Sequence, residues 1–154
     1  MRTTTTSTDA NTNEEERDEM QREKRISHVL RELKIKTGVL RRLSKEREMY
    51  EREVLDFTSR IEKDERIDRN DDDDETNDND NNNNARQRKQ CLEESKAMVR
   101  DTFVRLEKAF VDLEEFVETL VEGKEDFDVR DEVTGKEEFR LAKEQVERVK
   151  PSLC

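Results

Sequence analysis

Apolar positions along this chain return at threes and fours, the spacing of a helix that buries one face. From Ile26 the series runs Ile26, Leu30, Leu33, the small Thr37, Leu40, Leu43, Tyr50, Val54, Phe57 and Ile61. That is one helical stripe of about ten turns. Arg47 interrupts it, and the doubled step of three around Leu43 makes the heptad imperfect, so regular supercoiling is not required. A second stripe is cleaner: Leu92, Ser95, Val99, Thr102, Leu106, Ala109, Leu113, Phe116 and Leu120 alternate steps of three and four. Phe103, Phe110 and Val117 repeat every seven residues beside it. Together they make a face wider than a two-stranded seam uses, so a third element is expected to cover the excess. Phe139, Ala142, Val146 and Val149, spaced as one helical face, supply it.

Local signals place the ends. Thr12 and Asn13 before Glu14, Glu15 and Glu16 form a helix start, and Gly123 stands where a C-terminal cap belongs. Thr134-Gly-Lys-Glu137 has the form of a capping box, and Pro151 is expected to end the last helix. Between the long stripes, residues 70–84 are Asp, Asn, Glu and Thr only. They offer nothing to bury and are expected to stay solvated as an elongated turn, at small closure entropy. The predicted fold is all-α, an elongated antiparallel three-helix bundle of two long helices and one short one. A disordered tail over 1–13 precedes a domain over 14–150, with helix 1 over about 14–69, a disordered Asp/Asn-rich linker over 70–84, helix 2 over about 85–122 and helix 3 over about 136–150. Residues 151–154 form a C-terminal tail.

Folding the long helices back at the linker pairs residues whose numbers add to about 154, so Leu33 meets Leu120, Leu40 meets Leu113, and Ile61 meets Leu92. Charge favours the same register. Residues 22–47 carry ten Lys/Arg against three Glu, and residues 111–138 carry twelve Asp/Glu against three Lys/Arg. The basic run is therefore expected both to complement the acidic end of helix 2 and to meet an acidic protein partner.

Composition narrows the class. Charged residues make up 47% of the 154 and hydrophobic ones 29%, which excludes a large globular core and leaves helices of the coiled-coil kind or disorder, between which the stripes decide. One proline and three glycines are too few for the turns of a sheet protein. The start of the chain has no apolar core of a signal peptide, and no stretch approaches a membrane span, so a soluble cytoplasmic protein is expected. Cys91 and Cys154 stand far apart without Cys or His company, which indicates neither a disulfide framework nor a zinc site.

Catalytic equipment is lacking: there is no GxGxxG, P-loop or HExxH, and the single histidine, His28, reads as a surface helix residue. The Asp71–Glu75 run lacks the glycine and the spaced glutamate of an EF-hand loop. The basic run has no interleaved aromatics and the chain is at −11 overall, which argues against nucleic acid and membrane as partners. Gly38 inside a helix reads either as drift on an exposed face or as close approach by another backbone.

Three stretches resemble one family. Leu33-Lys-Ile-Lys-Thr-Gly-Val-Leu-Arg-Arg-Leu43 with Lys45-Glu-Arg-Glu-Met-Tyr-Glu-Arg-Glu53, then Leu92-Glu-Glu-Ser-Lys-Ala-Met98, then Arg105-Leu-Glu-Lys-Ala-Phe-Val-Asp-Leu113 are similar to the tubulin-specific chaperone A (tubulin-binding cofactor A) proteins. The chain departs from that pattern in its Asp/Asn tract, in an N-terminal extension of about 25 residues, in Val99-Arg-Asp101 where many members carry Ile-Pro-Asp, and in a longer connection before the last helix.

The resemblance implies a three-helix bundle and a non-enzymatic chaperone. Such a protein binds β-tubulin intermediates released from the chaperonin without ATP or metal, and passes them to the other tubulin-folding cofactors for αβ assembly. It implies a cytoplasmic, microtubule-associated protein; the wide face of helix 2, open to cover by helix 3 or by another chain, leaves both monomer and homodimer as expectations. Polar helical positions within the matched motifs are the candidate β-tubulin contacts: Lys34, Lys36, Arg41, Arg42, Glu51 and Glu53 on helix 1, and Glu93, Glu94, Arg105 and Glu107 on helix 2. Tyr50 sits on the stripe and is expected in the core. A structural coiled-coil adaptor without a tubulin client is the alternative that residue pattern alone leaves open.

Overall fold

The computed structural model describes residues 9–69, 78–123 and 127–154. The described residues form four helices: α1 Asp9–Asp68, α2 Asp78–Glu122, α3 Phe127–Thr134 and α4 Glu137–Leu153. The fold is all-helical, with one helix more than the stripes predict. α3 falls in the stretch read as connection; its helical face consists of Val129 and Val133 four residues apart, both buried, too short a pattern to announce itself in sequence.

The chain divides into two units, one of Met1–Leu40 with Ala109–Cys154 and the other of Arg41–Lys108. In the first, Ile26, Val29, Leu33 and Leu40 of α1 are buried, as are Phe110, Leu113, Val117 and Leu120 of α2. Val129 and Val133 of α3 and Phe139, Ala142 and Val149 of α4 complete that core. Three ion pairs bind its helices from outside: Arg22 to Glu132 at 3.2 Å, Lys36 to Asp112 at 2.6 Å and Lys150 to Glu114 at 3.4 Å. The last sets α4 beside α2, and Phe110 and Val117, two of the three residues on the flanking line, are buried in this unit.

The second unit has two helical arms and a leaner core. Leu43 and Leu106 are its buried apolar side chains, and Ser95 and Thr102 its buried small polar ones. Tyr50, Val54, Phe57, Ile61, Leu92, Val99 and Phe103 are half-buried. Polar cross-links supplement them: Arg88 to Asp64, Lys89 to Glu65 at 3.7 Å, and Ser95 Oγ donating to Glu53 at 3.3 Å. Arg47, the interruption of the first stripe, lies 5.0 Å from the centre of the Phe103 ring and donates to Glu51 at 2.8 Å. The guanidinium thus covers an aromatic face instead of facing a hole in the seam. Arg88–Asp64 and Lys89–Glu65 fall on or close to the predicted antiparallel register, Arg47–Phe103 lies about one turn from it and Ser95–Glu53 nearly two.

The ends depart most from expectation. Thr12 and Asn13 lie inside α1, which starts at Asp9, so part of the predicted tail is helical. α2 likewise takes in residues 78–84 of the Asp/Asn tract. Once a long helix is nucleated, adding a residue costs far less than starting one. The rest of the tract and of the tail lies outside the described residues. The capping box also fails: Thr134 ends α3 with its hydroxyl donating to the Asp131 carbonyl, and α4 is capped by Lys136 without a side-chain bond. Pro151 does not end α4, which runs to Leu153. Ser152 Oγ donates to the Val149 carbonyl at 2.7 Å and closes that last turn. Gly123 behaves as read: α2 ends one residue earlier, its φ is +78°, and a Cβ there would collide with the Arg130 guanidinium.

Two interior residues give stability predictions. A Cβ at Gly38 would meet nothing within 4 Å, so among the described residues no backbone approaches it and it lies on an exposed face. Gly38→Ala is expected to raise stability by about 1 kcal/mol, read as a higher urea midpoint. Thr37 is buried and its hydroxyl finds no partner, whereas Thr102 and Thr58 donate to carbonyls one turn back at 2.6 and 2.7 Å. Thr37→Val keeps the shape and removes an unsatisfied hydroxyl. It is expected to stabilise by about 1 kcal/mol in the same measurement.

Candidate partner-binding surface

The ten candidate contacts separate into those that face solvent and those with partners inside the fold. In the first unit Lys34 is exposed, while Lys36 is half-buried, bound to Asp112, with its ammonium 5.5 Å from the centre of the Phe116 ring. In the second unit Arg41, Arg42, Glu93, Glu94, Arg105 and Glu107 are exposed. Arg42 pairs with Glu46 at 3.7 Å and Arg105 with Asp101 at 2.8 Å, both along their own helix. Glu51 and Glu53 are half-buried and hold Arg47 and Ser95. Tyr50 is half-buried, and His28 is exposed on α1.

Among the described residues the basic run pairs across helices at some positions and not at others. Of the basic run, Arg22 and Lys36 reach a carboxylate on another helix. Lys24, Arg31 and Lys34 are exposed and meet no carboxylate among the described residues. Such ion pairs as form at the surface contribute a few tenths of a kcal/mol each, so they trim the register more than they hold the fold.

Exposed apolar side chains are the feature the stripes did not reveal. Ile35, inside the first matched motif, is 50% exposed in the first unit, and Leu55 at 71% and Val104 at 62% stand out from the second. The available signal was an apolar residue lying off the stripe, visible at each of the three positions. A shallow hollow at the α3–α4 junction is lined by Thr134, Gly135, Lys136, Glu137 and Phe139. No cluster of His, Cys, Asp or Glu among the described residues is arranged to hold a metal ion, and none of their helices is long and apolar enough to cross a membrane. The surface can present charge and scattered apolar anchors to another macromolecule.

Comparison with known proteins fits such a surface. The family model of tubulin binding cofactor A matches residues 28–146. The mouse tubulin-specific chaperone A is 37% identical over 90 residues, which is 58% of this chain and 73% of that protein. The chicken protein of the same name is 34% identical over 121 residues, 79% of this chain and 93% of its own. The solved structure of human tubulin chaperone cofactor A superposes with a TM-score of 0.56 at 32% identity, covering 79% of this chain and 98% of that one. The chain belongs to the tubulin binding cofactor A family.

Proposed function

We propose that this protein is a tubulin-folding cofactor. It binds β-tubulin intermediates after their release from the chaperonin, holds them by stoichiometric binding without ATP, and passes them to other tubulin-folding cofactors for αβ assembly in the cytoplasm. The observation that carries this reading is the family match over residues 28–146, which includes all the motif stretches and every candidate contact. The helical surface supports it, because a holding chaperone works through exposed charge and apolar anchors on rigid elements and not through a pocket. Lys34, Arg41, Arg42, Glu93, Glu94, Arg105 and Glu107 are the proposed contacts that face solvent; Lys36, Glu51 and Glu53 are proposed to act by holding their neighbours in place.

The test is capture of denatured β-tubulin diluted into chaperonin-containing extract, with the tagged protein recovered and probed for tubulin. Retention of β-tubulin without added ATP is expected at near-equal stoichiometry. Recovery no greater than with an unrelated helical protein of similar charge ends the proposal.

A further inference from the structure

The basic run of α1 leaves a strip that no part of the described fold uses. Lys24, Ser27, Arg31, Lys34 and Gly38 follow one another by three, four, three and four residues, so they share an arc of about 80° on the helix. All five are exposed. Within that arc there is no acid; Glu23 sits at its edge and Glu32 round the side. The three cations meet no carboxylate among the described residues, and the space over Gly38 is open. Beside the strip Ile35 stays half out of the fold.

Each feature asks something of a partner. Lys24 and Arg31 stand seven residues apart, about 10.5 Å along the axis, the repeat at which another helix presents side chains of one face. A position without a side chain lets a second helix approach to the short end of the usual 8–10 Å spacing. Ile35 supplies apolar contact at the edge. The chain carries −11 overall, which disfavours a duplex nucleic acid, whose binding grows with the number of cations neutralising it. A single file of three cations is also narrow for a lipid surface.

We propose that this strip of α1 is the docking surface for an acidic amphipathic helix of the client, lying along α1 with its carboxylates against Lys24, Arg31 and Lys34 and its backbone over Gly38. The client's identity rests on the tubulin-holding reading; the chemistry of the surface does not.

Two variants of the full chain separate these. K24E/R31E/K34E reverses the charge, and G38L fills the open space with a good helix former; circular dichroism melting checks that both stay folded. With denatured β-tubulin as probe, each is expected to lose about tenfold in capture, with the charge variant's deficit shrinking as salt is raised. Capture equal to the parent in both overturns the surface and leaves the tubulin reading standing. Loss in the charge variant alone overturns the helix over Gly38. If the parent captures no tubulin, a synthetic helical peptide with glutamates every seven residues decides. Salt-sensitive binding by the parent that is lost in both variants supports the surface, and no binding overturns it. Binding of a DNA duplex or of phosphatidylserine vesicles through the strip, with tubulin and peptide unaffected by either variant, also overturns it.

Discussion

Leu113→Ala is expected to lower the unfolding free energy by about 3–4 kcal/mol, read by urea denaturation followed at 222 nm. Leu113 is 0% exposed, in the unit where side chains from all four helices close one core. Removing its isobutyl group loses the transfer free energy and leaves a cavity that helices tied by Lys36–Asp112 and Lys150–Glu114 can close only in part. The comparison is Leu55→Ala, at 71% exposure, where the change is expected to stay within about 0.5 kcal/mol. Half-buried positions such as Phe57 should fall between. A Leu113→Ala cost below 1 kcal/mol would mean that this core is looser than its burial indicates.

Ala142→Asp is expected to release α4. Ala142 is 0% exposed on the face that also buries Phe139, Gln145 and Val149, so a carboxylate there would enter an apolar, desolvated site. An unpaired buried charge costs several kcal/mol, and a helix of 17 residues torn from its support is marginal in water. Limited proteolysis should then cut within 137–153 while the long helices resist, and the exposed neighbour variant Lys143→Asp should be cut like the parent. Equal resistance of Ala142→Asp and the parent would show that α4 contributes little to the packing. This prediction also checks the cover expected from the sequence: Phe110 and Val117 are buried in the unit that holds α4, whereas Phe103, on the same line, is half-buried in the unit that does not.

The same contrast shows how far the pattern of residues reached into the candidate surface. Lys34 and Lys36 are two residues apart and about 200° apart around the helix, so periodicity alone sends them to different sides. That Lys36 finds Asp112 and Phe116, while Lys34 finds no carboxylate among the described residues, depends on what α2 carries opposite each. Glu51 and Glu53 look like their exposed neighbours in sequence, and only the opposing arm and Arg47 draw them inward. Periodicity does not distinguish drift from close approach at Gly38; the open space above it does.

The sequence by itself determined the all-helical class, the two long helices and α4, the core positions Leu33, Leu40, Leu106, Leu113 and Leu120, and the family, because burial of one face imposes a period that needs no neighbour to be read. The tertiary structure alone decided where the helices stop and which charges remain free. Thr12, Asn13 and residues 78–84 are weak helix formers carried along by propagation, and Val129 with Val133 becomes a helix because a core is there to receive it. A surface cation is internal or available according to the residue that another helix brings within about 4 Å, and that is a property of packing which no single stretch of chain contains.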